Sequence, residues 1–316
     1  MMYQQFIHRL SQEIVDEIVD HLSHSKQDLD ACSKANRIFL HRCQKHLFSV
    51  IYFSSDRCNW PRSRHSPRTE RFKKLLEIFQ RSPHIARYVR GLHLDISSSD
   101  NDWVAEDPDF IRIMETIKQS GSNIRELRLR GLEFPEKLAD ARSLEQNFLL
   151  PFISTSLATL HLSYMVDVPM SLIANSPSIK HLSLHYSALE YFGEYVDKEL
   201  INALPKIQTL EFRPPDAIIG SIIGPESFGD TSAEGFTDTV QSIITYSGIG
   251  TPTIADITSL KTFKSFIEPK HLVIVQMIIQ KAKDSLEELY LCEDSEEGEY
   301  KGFISSLHNF HSNGNH

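Results

Sequence analysis

The sequence predicts an α/β fold: an N-terminal three-helix unit followed by a curved, irregular solenoid built around a parallel sheet. Three observations predict it. A hexapeptide of the form apolar-x-x-apolar-x-apolar keeps returning between residues 89 and 291. Amphipathic helical segments, closed by Ser, Pro and Gly, lie between the hexapeptides. A separate amphipathic cluster fills residues 10–48, ahead of all of them.

The first helix is expected to begin at Ser11, a good N-cap, with Glu13 in the first turn where the helix dipole favours negative charge. Ile14, Ile18 and Leu22 recur every four residues with Val15 and Val19 beside them, which makes one wide apolar stripe. Asp16, Glu17 and Asp20 fall on the other side. Ser23-His24-Ser25 breaks the pattern, and Asp28 is expected to cap a second helix carrying Leu29, Cys32, Ala35 and Phe39. A third, short helix would hold Cys43, Leu47 and Phe48. Three helices of this size make little core alone, so an apolar face is left for a partner chain or for the next domain. Read from amphipathicity only, the unit is equally well a terminal cap of the repeat array.

Residues 54–68 form a connector rich in Ser, Asn and Pro, which overlaps Arg57, Arg62, Arg64, His65, Arg68 and, just beyond, Arg71, Lys73 and Lys74. Nucleic-acid binding would want a basic stripe interleaved with aromatics. Only Trp60 and Phe72 lie nearby, so a solvated loop or an electrostatic aid to docking is the better reading.

The repeats begin with Val89-Arg90-Gly91-Leu92-His93-Leu94 and continue with Ile124 to Leu129, Leu157 to Leu162, Ile179 to Leu184, Ile207 to Phe212 and Leu286 to Leu291. Leu260 to Ser265 is a degenerate seventh. Leu-x-Leu alternation has period two, the mark of a strand with one buried face, and the earlier apolar residue packs under the turn leading in. Helices are expected over Phe72–Phe79, Phe110–Ile117, Val196–Leu204 and Val273–Ala282. Ser82-Pro83, Ser120-Gly121, Ser176-Pro177 and Leu204-Pro205 end such segments before the strands. Helix-then-strand units repeated in this way stack into a solenoid; an ordinary α/β domain with scattered strands is the alternative. A Gly- and Pro-rich stretch from Pro214 to Gly235 interrupts the array, and 214–256 reads as one irregular loop, either mobile or folded over the sheet as a lid. Glu293 to Glu299 reads as a solvated acidic loop.

Two resemblances follow from these residues. Leu-x-x-Glu-Ile-x-x-x-Ile-x-x-x-Leu from Leu10, then Asp28-Leu29-x-x-Cys32-Ser33, Asn36-Arg37-x-Phe39 and Leu47-Phe48, resembles the F-box along its whole length. The resemblance implies that the unit docks on the Skp-type adaptor of a cullin-based ubiquitin ligase, with Leu10, Ile14, Ile18, Leu22 and Leu29 forming the docking or packing surface. Ser11 stands where that family usually has proline, and Phe39 where tryptophan is common. Most of residues 70–295 resembles the leucine-rich repeat family, although the asparagine usual after the strand is replaced by Ser163-Tyr164 and His185-Tyr186. The domains are then a helical unit at 1–53, a basic linker at 54–68 and a repeat domain at 69–310.

In each strand the residue between the two apolar ones points to the inner surface of the curve. These are His93, Arg128, His161, Ser183, Glu211 and Tyr290, and Asp95, Arg130, Ser163, His185 and Arg213 follow two residues on. The set is polar and mixed in charge, as a protein-binding face would be, and Arg and Tyr are common anchors of such faces. Any exposed strand face must also be polar, so polarity alone does not assign it.

The chain has 316 residues, 41% hydrophobic and 24% charged, as ordinary folded proteins do. Its net charge of −9 divides unevenly: residues 1–90 carry +7 and the remainder −16, which suits two modules with different partners. Acidic residues interrupt any signal-like start, no apolar run reaches the roughly 20 residues a bilayer needs, and the four cysteines lack Cys-x-x-Cys spacing. A cytoplasmic or nuclear location is expected. Gly-x-Ser-x-Gly, Walker-type, His-Glu-x-x-His and Gly-x-Gly-x-x-Gly motifs are absent. His41, Cys43 and His46 lack a fourth ligand nearby and read as structural. The expectation is a protein without catalytic residues, metal or cofactor. It recognises a target protein for a Skp-cullin-F-box type ligase or, alternatively, serves as a repeat scaffold whose N-terminal helices only cap the array.

Overall fold

The structure is a computed structural model. It describes residues 11–54, 67–97, 103–132, 136–137, 141–153, 155–166, 168–169, 171–185, 187, 189–190, 204–213, 255–267, 272–293 and 302–306. Most of the basic linker, the expected helix at 196–204, most of the 214–256 loop and the acidic run after Glu293 lie outside these residues, as does Leu10.

Helices α1 (Gln12–His21), α2 (Lys26–Ala35) and α3 (Arg37–Leu47) form the N-terminal unit. Ser11 precedes α1 in an extended conformation, but its side chain caps no backbone N–H. The cap of α2 is Ser25, which accepts the Asp28 N–H at 3.2 Å; Asp28 sits inside the first turn instead of capping it. The break before α3 falls at Asn36, whose side chain accepts from the Ile38 N–H, so Phe39 belongs to α3 and not to α2. Val19, Leu29 and Cys43 make the small core, with Leu22, Cys32, Phe39 and Leu47 packed around it. Asp20 on α1 ties α3 down: Arg42 donates from Nε at 2.7 Å and from Nη2 at 2.5 Å, and His46 Nε2 lies 2.6 Å away. Arg42 above all, then His46, holds the Asp20 carboxyl well below the usual carboxylate range.

Among the described residues a sheet of nine strands makes the body. They are β1 (Val50–Ser54), β2 (Gly91–Ile96), β3 (Glu126–Gly131), β4 (Thr159–Ser163), β5 (His181–His185), β6 (Thr209–Arg213), β7 (Thr262–Ile267), β8 (Glu288–Glu293) and β9 (Gly302–Ser306). Strands β1 to β8 pair parallel in chain order, and β9 closes the edge antiparallel to β8. All seven hexapeptides end in strands of this sheet, the degenerate one included. The expected boundary between the helical unit and the linker at 53/54 falls instead within the first strand, Val50–Ser54, with Ile51 and Phe53 turned inward.

A repeated backbone device spaces the strands. The carbonyl of Ser49 accepts from the N–H groups of Arg90 and Gly91, and Arg90 in turn from Arg125 and Glu126. Arg125, Ala158, Lys180, Gln208 and Lys261 do the same for the next segment. Serines support it: Ser156 donates to the Ile124 carbonyl, Ser285 to that of Leu260 and Ser122 to that of Val89. Under each turn the lead-in apolar residue is buried, as at Val89, Ile124, Leu157, Ile179, Ile207 and Leu260.

Helices α4 (Arg68–Arg81) and α5 (Pro108–Gln119) cover the Leu-x-Leu face of the first strands. Asp107 caps α5, accepting from the Asp109 and Phe110 N–H groups. Phe72 of α4, Phe110 of α5, Phe53 of β1, Trp103 and Phe148 form one aromatic cluster in the core. A later helix, α6 (Leu272–Ala282), packs Val275 and Ile278 into the same core. Tyr164, directly after β4, adopts a φ of 59°, a left-handed conformation unusual for a bulky residue. This is one of the two places where the asparagine was missed.

Candidate functional site

Two surfaces collect the residues singled out in the sequence. The first is the sheet face opposite the buried leucines. Parallel pairing without a slip aligns its side chains into rows across the strands. One row runs Tyr52, His93, Arg128, His161, Ser183, Glu211, Lys264 and Tyr290. The next holds Ser54, Asp95, Arg130, Ser163, His185 and Arg213. All nine predicted partner-binding residues therefore share one face.

The groups on this face are largely matched to one another. Glu126 lies one row earlier and takes Arg128 Nε at 2.6 Å and faces His93 Nε2 at 3.1 Å. Glu211 meets His185 Nε2 at 2.9 Å, and Ser183 Oγ lies 3.0 Å from the same nitrogen. The Tyr52 hydroxyl donates to Asp95 Oδ2 at 2.5 Å, which leaves Asp95 buried. Burial and the Asp95 charge push the Tyr52 hydroxyl up to about 12. His161 is lowered by burial and by the Arg128 charge, so this ring is held toward its neutral form. At the far end Arg213 stacks on Phe266 at 3.6 Å and Lys264 lies 5.2 Å from the Tyr290 ring centre. Charges of both signs thus alternate along this face and are largely satisfied within it.

Glu126 gives this network a pH signature. His93, then Arg128, press its carboxyl down from 4.5 to about 2 against the opposing effect of burial. A depressed folded value means that the stabilising contribution is complete above the unfolded value of 4.5 and lost as the pH falls through about 2. With the side chain 28% exposed, screening leaves about 1–2 kcal/mol of it. Glu126→Gln is expected to flatten the acid limb of the stability curve over that window, read by urea denaturation at successive pH values.

The second surface is on α1. Val15 and Val19 are fully buried, whereas Ile14 is 46% and Ile18 42% exposed. The stripe is therefore split: the valines hold the helix, and the isoleucines face solvent. Leu22 is half-buried against the small core, and Leu29 is buried within it, so Leu29 supports the unit and presents no docking surface. Leu40 of α3 adds a third exposed apolar side chain to the unit. The unit also leans on the body. His41 meets the Tyr88 ring edge-on at 5.5 Å, Gln44 faces His84, and Phe48 packs against the main core.

Tyr52, Glu126 and Lys264 were missed on the sheet face, since β1 was not recognised, Glu126 sits one row early, and the seventh repeat is degenerate. The serines before the hexapeptides were the available signal for the repeat register. His41, Cys43 and His46 do not converge: one stacks on Tyr88, one is buried, and one binds Asp20. Among the described residues no group of three or more His, Cys, Asp or Glu is placed to hold a metal, and no helix is long and apolar enough to cross a membrane. No protein-family model matches the chain, and no curated protein matches its sequence.

Proposed function

We propose that this chain is the target-recognition subunit of a Skp-cullin-F-box type ubiquitin ligase. The helical unit docks on a Skp-type adaptor through Ile14 and Ile18, and the open sheet face holds the protein to be modified. The chain makes and breaks no bonds in this scheme. Its contribution is to raise the effective concentration of target lysines beside the charged enzyme.

The observation that carries the reading is the exposure of Ile14 and Ile18 on a helix whose Val19 fills the small core and whose Val15 is buried as well. Strand pairing in chain order and the recurrent carbonyl device support a solenoid of leucine-rich-repeat type as the holder. One observation favours the alternative of a scaffold with a helical cap: α3 runs almost directly into β1, and His41, Gln44 and Phe48 pack on the segment and core that follow.

Capture of a purified Skp-type adaptor by the intact chain decides between them. The ligase reading expects a one-to-one complex that is lost with Ile14→Asp or Ile18→Asp while circular dichroism and the melting curve of the chain stay unchanged. An intact, folded chain that captures no adaptor sinks that reading and leaves the scaffold.

A further inference from the structure

Two thiols share the interior of the helical unit. Leu29 and Cys32 stand three residues apart on α2 and hence on one face; Phe39, Cys43 and Leu47 recur every four on α3. Those two faces meet. Cys43 is fully buried with Val19 and Leu29, and Cys32 packs against that cluster while part of its surface stays in solvent. Any small apolar side chain would fill this space, so packing alone does not call for sulfur at both places. What the pair adds is reactivity.

We propose that Cys32 and Cys43 form a peroxide-responsive dithiol site that closes to a disulfide between α2 and α3. In the first step the Cys32 sulfur, as thiolate, attacks one oxygen of hydrogen peroxide. The S–O bond forms, the O–O bond breaks, and the departing hydroxide takes a proton to leave as water. In the second, the Cys43 sulfur attacks the Cys32 sulfur, the S–S bond forms, the S–O bond breaks, and a second water leaves. Two thiols have then lost two protons and two electrons, and one peroxide has become two waters.

The surroundings fix the order of the steps. Cys32 is the thiol that a peroxide in solvent reaches. Cys43 lies behind it, and burial, then the Cys32 thiol, push its own thiol up to about 12. A thiol so protonated is a slow resolving group at neutral pH, and closure gains about tenfold per pH unit as its thiolate fraction grows. The bond would span residues 33–42 and hold α2 against α3, restricting the unfolded state of a unit with a very small core. None of this depends on what docks at Ile14 and Ile18.

The test treats the intact chain with hydrogen peroxide at two pH values, blocks remaining thiols under denaturing conditions, and maps the peptides by mass spectrometry. The site predicts a loss of about two daltons, one cross-linked peptide pair joining Cys32 to Cys43, and reversal by dithiothreitol. Cys32→Ser abolishes the cross-link. Cys43→Ala leaves Cys32 to proceed to the sulfinic acid, and its melting curve shows whether that variant is folded; Cys32→Ser, at a partly exposed position, serves if it is not. Oxidation of Cys32 to sulfinic acid in the unaltered chain, or pairing of either thiol with Cys58 or Cys292 instead, overturns the proposal.

Discussion

Truncating Phe110 to alanine is expected to lower the stability of the body by about 3–5 kcal/mol. Phe110 is fully buried in the first turn of α5, where the Asp107 cap fixes its backbone. Its ring lies 5.3 Å from Phe53, 5.2 Å from Trp103, 5.4 Å from Phe148 and 5.8 Å from Phe72, centre to centre. These four come from a strand, two short helical segments and α4, so one ring joins elements distant in sequence. All four contacts are edge-on or tilted, a geometry that adds to simple burial. Removing the ring leaves a cavity walled by aromatic groups that cannot collapse together, because each is anchored on a different element. Urea unfolding checks this: the midpoint should drop strongly with the slope unchanged. A loss below about 1 kcal/mol would mean that the cluster is not packed as described.

Val19→Asp and Ile18→Asp place the same charge on neighbouring residues and should have opposite consequences. Val19 is fully buried beside Leu29 and Cys43. A carboxylate there has no partner, and the cost of several kcal/mol exceeds what so small a core supplies. The helical unit is expected to unfold, seen as lost protection of α1 to α3 in hydrogen exchange while the sheet stays protected. Ile18, at 42% exposure, tolerates the charge, so the unit stays folded. Adaptor capture should nevertheless fall at least about a hundredfold, since an apolar contact is lost and a charge is buried in the interface. Val19→Asp unfolds what Ile18→Asp only disarms, and hydrogen exchange tells the two apart. If Ile18→Asp also unfolds the unit, the outward placement of that residue is wrong.

The repeats were legible because their signal is local. Each Leu-x-Leu pair demands a half-buried strand by period alone, and the residue three positions earlier marks the turn. Even the degenerate copy kept Leu260 and Phe263 at the buried positions. The rows of the sheet face followed, since parallel pairing without a slip leaves no choice about which side chains are neighbours. Strand β1 was harder to read, since it follows α3 after only Phe48 and Ser49, and Phe48, its lead-in residue, also continues the apolar spacing of Cys43 and Leu47 on the helix. The apolar stripe of α1 was found, but its orientation was not. Five apolar residues at 14, 15, 18, 19 and 22 cover a wide arc, and the packing of α2 and α3 turns Val19 inward against Leu29 and Cys43. The same holds for the Asp20 clamp, which joins side chains 22 and 26 residues apart that no periodicity pairs. The first helix starts after Ser11 as expected, whereas the cap of α2 lies at Ser25, three residues before Asp28, and α3 begins already at Arg37, because several Ser, Asn and Asp residues near these starts are equally good caps in sequence.

Strand order that follows chain order has a mechanical corollary. Among the described residues each strand of the large sheet is hydrogen-bonded within it only to its neighbours in chain order. Tension applied across the sheet from the β9 end would load one strand pair at a time, whereas at the β1 end the Phe110 cluster has to be undone as well. The molecule should lengthen as a train of small rips that advance from an end, its middle still ordered, and re-zip along the same track when the load is released.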